Sequence, residues 1–272
     1  MKFKCRMSET LAMRDFTNVV NAISKMSKLC VMIMSIDEIC FTVLDDMNPI
    51  VWAVLSKNHF FNQYSLSGAD VEQNLIYLEV DTLMLSKSLT TLKTAATSVT
   101  IKLTNKQQPC LTLDIEIPAI TDCWQCVHDV PIRVVPRQEW PSYKTPSVPA
   151  FDITIDLPPM KHIRNVVERM KNMSPYLGIV ADNNGMLILK SETNKATVAT
   201  HFRDLRVWKD NTTDQDKITA TIDIKRFIMF LAWDAVRPDS VQCNILHEQM
   251  LYLHVNLQNN IKINYFIPGI SF

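Results

Sequence analysis

The sequence predicts an α+β protein in which one domain plan is used twice. Asn18-Val19-Val20, followed by Met26-Ser27, returns as Asn165-Val166-Val167 followed by Met173-Ser174, 147 positions later. Ser98-Val99, which opens an apolar-alternating run, returns as Ser240-Val241, 142 positions on. The two offsets differ only by what a change in loop length absorbs, and the period is far longer than a solenoid unit of ~20–50 residues. Pro136, Pro141, Pro146 and Pro149 crowd the middle of the chain. Each fixes φ and removes a backbone donor, so an extended linker is expected there. The predicted organisation is a domain at 1–135, a connecting loop at 136–150 and a second domain at 151–272.

Inside the first half, residues 2–7 read as a strand. Ser8 offers an N-cap to a helix whose apolar face is Leu11, Phe16, Val19, Val20, Ile23 and Met26. Runs at 29–36, 38–44 and 50–56, rich in Val, Ile, Phe and Trp, read as strands, as does 74–80. A second helical pattern runs through Leu85, Leu89, Leu92 and Ala96; strands at 98–103, 111–117 and 128–135 close the half. The second half follows the same order. A strand at 153–157 precedes a helix on Met160, Ile163, Val166, Val167, Met170 and Met173. Strands at 176–181, 186–191, 196–202 and 218–224 lead to a helix on Phe227, Phe230 and Leu231, then strands at 241–246, 251–257 and 261–267. Two helices per half cannot cover both faces of a parallel sheet. Antiparallel sheets with helices on one side are therefore expected.

The chain has 272 residues, 47% apolar and 21% charged, with a formal net charge of zero. Those values describe a folded chain with cores of ordinary size. Met1-Lys2-Phe3-Lys4 runs straight into polar residues, so no secretory signal is expected, and no apolar run reaches the ~18–20 residues of a membrane span. Seven scattered cysteines then suggest reduced thiols in cytosol or nucleus. The charge is not evenly spread. The four predicted helices (8–28, 82–95, 160–174, 224–234) carry eleven bases and four acids, a net of +7, leaving −7 elsewhere. Arg14, Asn18, Asn21, Lys25 and Lys28 recur at three- and four-residue steps opposite the apolar stripe. One such helix is an ordinary solvated face. Four of them in a duplicated plan suggest a surface that meets phosphate oxygens without reading bases.

Catalytic chemistry is hard to assemble. The four glycines form no phosphate-binding loop. Cys123-Trp124-Gln125-Cys126 has no second pair, and its odd spacing sends the thiols to opposite faces of a strand. Asp45-Asp46, Asp152 with Asp156, and Asp214 with Asp216 are the carboxylates a metal-dependent nuclease would draw on, without an evident helper. The chain reads as a non-enzyme with no metal and no cofactor.

Several stretches resemble a known family. They are Met1-Lys2-Phe3, Phe60-Phe61-Asn62, Ile76-Tyr77-Leu78-Glu79, Ile101-Lys102-Leu103-Thr104-Asn105-Lys106 and His128-Asp129. Pro131-Ile132, Val135-Pro136-Arg137, Val166-Val167-Glu168, Met170-Lys171-Asn172, Thr200-His201-Phe202 and Tyr265-Phe266-Ile267-Pro268 continue the match to the end. The chain resembles the DNA sliding clamps, and within them the Hus-type subunit of the heterotrimeric DNA-damage checkpoint clamp, the nine-one-one complex. The resemblance implies a sliding-clamp fold, with sheets outside and helices lining a ring formed with two sister subunits around duplex DNA. It implies a clamp loader, repair and checkpoint proteins as further partners, and a nuclear location with the cytoplasm as the alternative. By helix position it assigns backbone contacts to Lys25, Lys28, Lys93 and Lys171, and weaker ones to Lys87, Arg164, Lys225 and Arg226. Ring closure would use two strand edges, at Leu111, Leu113, Ile115 and Ile117 and at Val198, Thr200 and Phe202. Partner peptides would dock beneath the connecting loop. A homotrimeric replication-type clamp is the nearest alternative, and a metal-dependent nuclease a distant one.

Overall fold

The computed structural model describes all residues except 46–47, 69–73, 94–95, 119–122, 146, 210–216, 259 and 272. The chain divides into two compact units, Met1–Thr145 and Pro146–Phe272. The first runs β1 (Lys2–Met7), α1 (Thr10–Ser24), β2 (Leu29–Met34), β3 (Glu38–Asp45), β4 (Asn48–Ser56), α2 (Lys57–Phe60), β5 (Gln63–Ser67), β6 (Ile76–Asp81), α3 (Thr82–Ser88), β7 (Ser98–Asn105), β8 (Pro109–Pro118) and β9 (Cys123–Val134). The second runs β10 (Ile153–Asp156), α4 (Met160–Met170), β11 (Tyr176–Ala181), β12 (Leu187–Glu192), β13 (Thr197–Phe202), β14 (Val207–Lys209), β15 (Ile218–Asp223), α5 (Ile224–Phe230), β16 (Ser240–Leu246), β17 (Met250–Leu257) and β18 (Ile261–Pro268).

The repeat in the sequence is a repeat of hydrogen bonding. In the first unit β1 pairs with β5 and β7, β2 with β3 and β6, β3 with β4, and β8 with β7 and β9, all antiparallel. In the second, β10 pairs with β14 and β16, β11 with β12 and β15, β12 with β13, and β17 with β16 and β18. Ser98 opens the strand that follows α3, and Ser240 the strand that follows α5. The helix starts match too. Asp81 ends β6 and its carboxylate accepts the Met84 N–H, while Asp223 ends β15 and accepts the Lys225 N–H. Each carboxylate satisfies a donor the first turn would otherwise leave open, worth ~1 kcal/mol.

The helices lay their apolar stripes on the sheets. In the first unit Phe16 of α1 meets Phe41, Phe60 and Phe61 edge-on, with ring centroids 6.0–6.2 Å apart. In the second, Phe230 of α5 packs on Tyr265 at 5.6 Å, beside the fully buried Phe227 and Trp233. Burying one such ring stabilises the fold by ~2–3 kcal/mol.

Some expectations shift. Leu11 is exposed, and Ala12 and Met13 take the core places at that end of α1. Ser8 is not the cap: Glu9 occupies that position, and the Ser8 N–H and hydroxyl both donate to Asn62 Oδ1. Strand β8, expected at an edge through Leu111, Leu113, Ile115 and Ile117, is interior, because β7 bonds one flank and β9 the other.

The proline-rich segment is not extended throughout. Arg137–Tyr143 forms a 3-10 helix, with Pro141 inside it, packed on the first unit. Trp140 stacks on Tyr77 with centroids 4.4 Å apart and planes 17° apart, and its Nε1 donates to Val135 O at 3.1 Å. The Arg133 guanidinium grips Glu79 of β6 at 2.9 Å and Glu139 of the 3-10 helix at 3.1 Å. Two buried aromatic anchors, Trp140 and Tyr143, override what the prolines alone suggest.

Candidate nucleic-acid interface

In the first unit the basic residues converge because α1 and α3 are tied together at their polar sides. Ser86 Oγ of α3 donates to Asn21 Oδ1 of α1 at 2.5 Å. The Thr82 N–H donates to Lys28 O at 3.0 Å and its hydroxyl to Ser27 O at 2.5 Å. Lys25, one turn after Asn21, and Lys87, next to Ser86, therefore flank one helix seam, with Lys28 at its end. Lys93 ends a 3-10 turn, Thr90–Lys93, that also packs beside α1. In the second unit α4 lies against α5. Lys171 stands at the C-terminal cap of α4, and Lys225 in the first turn of α5.

Helical faces were expected to carry these lysines. Instead Lys25, Lys87, Lys93 and Lys171 stand in last turns or C-terminal caps. The outward carbonyls there favour a cation by ~0.3–1 kcal/mol.

Pairing separates these lysines from several strand cations, though Lys2 and Lys4 of β1 and Lys262 of β18 also make no ion pair among the described residues. On the strands Arg6 pairs with Glu116 at 3.0 Å and Lys102 with Asp114 at 3.8 Å, and in the turn after β7 Lys106 pairs with Asp129 at 2.6 Å. Arg133 pairs with two glutamates, and Lys190 with Glu192. Lys106, then the Thr112 hydroxyl, hold the Asp129 carboxyl below its usual range. Arg133 does the same to Glu79. Lys25, Lys28, Lys87, Lys93, Lys171 and Lys225 are exposed, and none makes an ion pair among the described residues. Arg164 is different: half-buried, it donates to Leu231 O and holds the chain after α5 in place. The Arg226 carbonyl accepts the Tyr265 hydroxyl at 3.0 Å, so its backbone is fixed as well.

The open strand edges lie elsewhere than expected in the first unit. Strand β9 bonds β6 only through Ile132–Val134, so along residues 123–131 its side away from β8 carries no partner strand among the described residues. Trp124, 71% exposed, and Val127, 53% exposed, stand on that stretch. In the second unit β13, with Val198, Thr200 and Phe202, ends its sheet, bonded among the described residues to β12 alone.

The remaining motifs have structural uses. Cys126 Sγ lies 3.1 Å from His128 Nε2, and the Cys123 side chain is outside the described residues. Asp152 accepts the His247 N–H and Asp156 the Trp208 indole N–H, each at 2.7 Å. Asp46, Asp214 and Asp216 lie outside the described residues. Beside the 3-10 helix a cleft of about 460 Å³ has Leu29, Val31, Leu44 and Tyr143 as apolar lining and Glu79, Arg133 and Glu139 at its charged side.

A duplicated plan of antiparallel strands and paired helices is the sliding-clamp fold. The structure superposes on the proliferating cellular nuclear antigen of Entamoeba histolytica with a TM-score of 0.73, over 99% of both chains, at 13% identity. The Hus1-like protein family model matches residues 1–271, and the chain belongs to that family. It is 36% identical to the human checkpoint protein HUS1 over 282 residues, covering all of both chains. It is 25% identical to the checkpoint protein Hus1-like of Drosophila melanogaster over 277 residues, covering 99% of each. It is a checkpoint protein with a clamp fold.

Proposed function

We propose that this chain is a non-catalytic subunit of a heterotrimeric ring that encircles duplex DNA and recruits checkpoint and repair proteins. The supporting observation is the gathering of exposed lysines at the helix ends. Lys25, Lys28, Lys87, Lys93, Lys171 and Lys225 make no ion pair among the described residues and are left for an outside anion. Phosphate contacts made by such lysines position DNA without reading sequence, as a sliding subunit requires. Lys25, Lys28, Lys87, Lys93, Lys171 and Lys225 are the contact residues of this reading, with Arg164 serving the fold.

Ring closure uses strand edges, because an unpaired ladder is a ready template for another chain. The outer side of β9 and the strand β13 are the two edges of this reading, with Trp124 and Val127 as apolar anchors on the first. The cleft of Leu29, Val31, Leu44 and Tyr143 receives partner peptides. A separate loader opens the ring, and the nucleus is where it works.

Native mass spectrometry of the chain alone and co-expressed with two sister subunits tests assembly. A one-to-one-to-one complex, weakened by Trp124→Lys, is expected. A stable homotrimer of this chain alone would move the reading to a replication-type clamp.

A further inference from the structure

We propose that the free edge of β5 takes an extended acidic segment of a partner protein, which joins the sheet as a further strand. Strand β5 bonds β1 in unbroken register, from Lys2 opposite Ser67 to Arg6 opposite Gln63. No strand lies on its other flank among the described residues. An open sheet edge is a template for another chain, and folds blunt it with a charge, a proline or a bulge. The run Gln63-Tyr64-Ser65-Leu66-Ser67 has none of these. Its counterpart in the second unit, β14, is blunted: it has three residues, and the register between it and β10 shifts between Thr154 and Ile155. Of the two equivalent edges in the duplicated plan, the one at β5 is receptive.

Charge on the Ser65 face selects the occupant. Residues directly opposite on neighbouring strands share a face, so Lys2, Lys4 and Arg6 stand beside Ser67, Ser65 and Gln63. Lys4 also faces Lys102 of β7 directly, and like charges so placed destabilise a sheet. The carboxylates of this face are already matched, Glu116 by Arg6, Asp114 by Lys102 and Asp129 by Lys106. Lys2 and Lys4 are exposed and make no ion pair among the described residues. Asp37 and Glu38 lie towards the other face, where the Tyr64 hydroxyl donates to Ser35 O at 2.7 Å. An excess of two cations therefore borders the open edge.

The two lysines reach an added strand because only short side chains intervene. Adjacent strands lie ~4.8 Å apart, so a strand beyond β5 runs ~10 Å from β1, a gap that extended lysine and glutamate side chains span together. Ser65 and Ser67, both exposed, leave that path open. The edge itself decides between a peptide and a nucleic acid. A strand edge offers N–H donors and C=O acceptors in turn, which a peptide backbone satisfies and a phosphate backbone, all acceptors, does not. The occupant therefore alternates: acids on the lysine face, and apolar residues beside the half-buried Tyr64 and Leu66.

The test is a fluorescein-labelled peptide, Glu-Val-Glu-Ile-Glu-Val-Glu, titrated into the full chain and followed by anisotropy. Two controls accompany it: lysine for every glutamate, and the acidic peptide with its three central amides N-methylated, which keeps the charge and removes the ladder. Saturable binding of the unmodified acidic peptide alone is expected. Lys2→Glu combined with Lys4→Glu should weaken it about tenfold or more. That exchange gives Lys102 a facing carboxylate, so the melting temperature should not fall. Val127→Asp and Val198→Asp, on the β9 and β13 edges, should leave binding intact, which separates this site from ring closure. Absence of saturable binding, equal binding of either control peptide, or loss in Val127→Asp or Val198→Asp would overturn the proposal. So would two results that name another occupant. Binding of an oligothymidylate that the double exchange abolishes would make it a nucleic acid, and self-association lost in the same variant would make it a second copy.

Discussion

Neutralising Lys25, Lys28 and Lys87 together tests the reading of the helix seam most directly. All three side chains are exposed and without an ion pair among the described residues, so alanine removes charge and little packing. The helix-end contribution of Lys25 and Lys87 adds ~0.3–1 kcal/mol each to the stability lost, which leaves the fold intact. The effect on DNA is larger and has a distinctive form. Each phosphate neutralised steepens the fall of log K with log salt by ~0.9, so three lost contacts flatten the slope by ~2.7. Between about 50 and 200 mM salt that slope difference amounts to a factor of ~40. The triple variant, assembled with its sister subunits, should therefore bind duplex DNA much more weakly at low salt. The deficit should shrink about 40-fold across that range. Fluorescence anisotropy of a labelled duplex, closed at both ends to hold the ring, measures both quantities. An unchanged slope with an intact ring would mean that these lysines face no phosphate, and the charge argument would fail.

Trp140→Ala removes a buried indole, its stack on Tyr77 and its bond to Val135 O. The variant should lose ~3–5 kcal/mol in urea unfolding; a loss under ~1 kcal/mol would show that the 3-10 helix is not anchored by Trp140. Glu79 has its folded pKa lowered by Arg133, so the pair stabilises the fold above the ordinary carboxylate range and is lost as pH falls through the folded value. The melting-temperature gap between wild type and Arg133→Gln should close on acidification below about pH 4, and a gap that stays constant would contradict this. The Cys30 and Cys40 thiols are pushed up to about 12 by burial, whereas Cys126 is half-exposed beside His128. Limiting maleimide followed by peptide mass spectrometry should label Cys126 ahead of the other described cysteines, and early labelling of Cys30 would show the β2–β3 face to be open.

Strands with one buried face announce themselves through alternation, and β11 was legible to the residue for that reason. The short edge strands β5 and β14 were not, since Gln63–Ser67 buries little and Val207–Lys209 is three residues long. Periodicity also placed Leu11 in the core because it counts apolar residues without knowing which phase the sheet selects. The edge assignment to β8 came from resemblance, whereas a residue-level sign pointed to β9. Pro131 lies in β9 and cannot donate to a ladder, and a proline inside a strand marks an edge. The lysines of the site were visible as composition, but their places in caps and last turns depended on where the helices stopped, which the apolar pattern leaves loose by a turn.

A net charge of zero would ordinarily argue against a polyanion partner, and the structure explains why it does not here. In a sheet, diagonal neighbours on adjacent strands lie ~7–8 Å apart, within reach of a long side chain, so a cation on β7 finds a carboxylate on β8, as Lys102, opposite Thr112, finds Asp114. Such charges cancel locally and leave little field beyond a Debye length of ~10 Å. Among the described residues the seam between α1 and α3 makes no such pair with an acid. Asn21 and Ser86 bond to each other there, and Asp81 is engaged in capping α3. The unpaired lysines at the helix ends of both units therefore contribute a local positive field, whatever the total. Transferring the acid of one strand pair onto the seam, as Asn21→Asp with Asp114→Asn, keeps the net charge at zero. DNA binding by the assembled ring should nevertheless fall. Binding that follows net charge and ignores this exchange would show that the position of the lysines is immaterial.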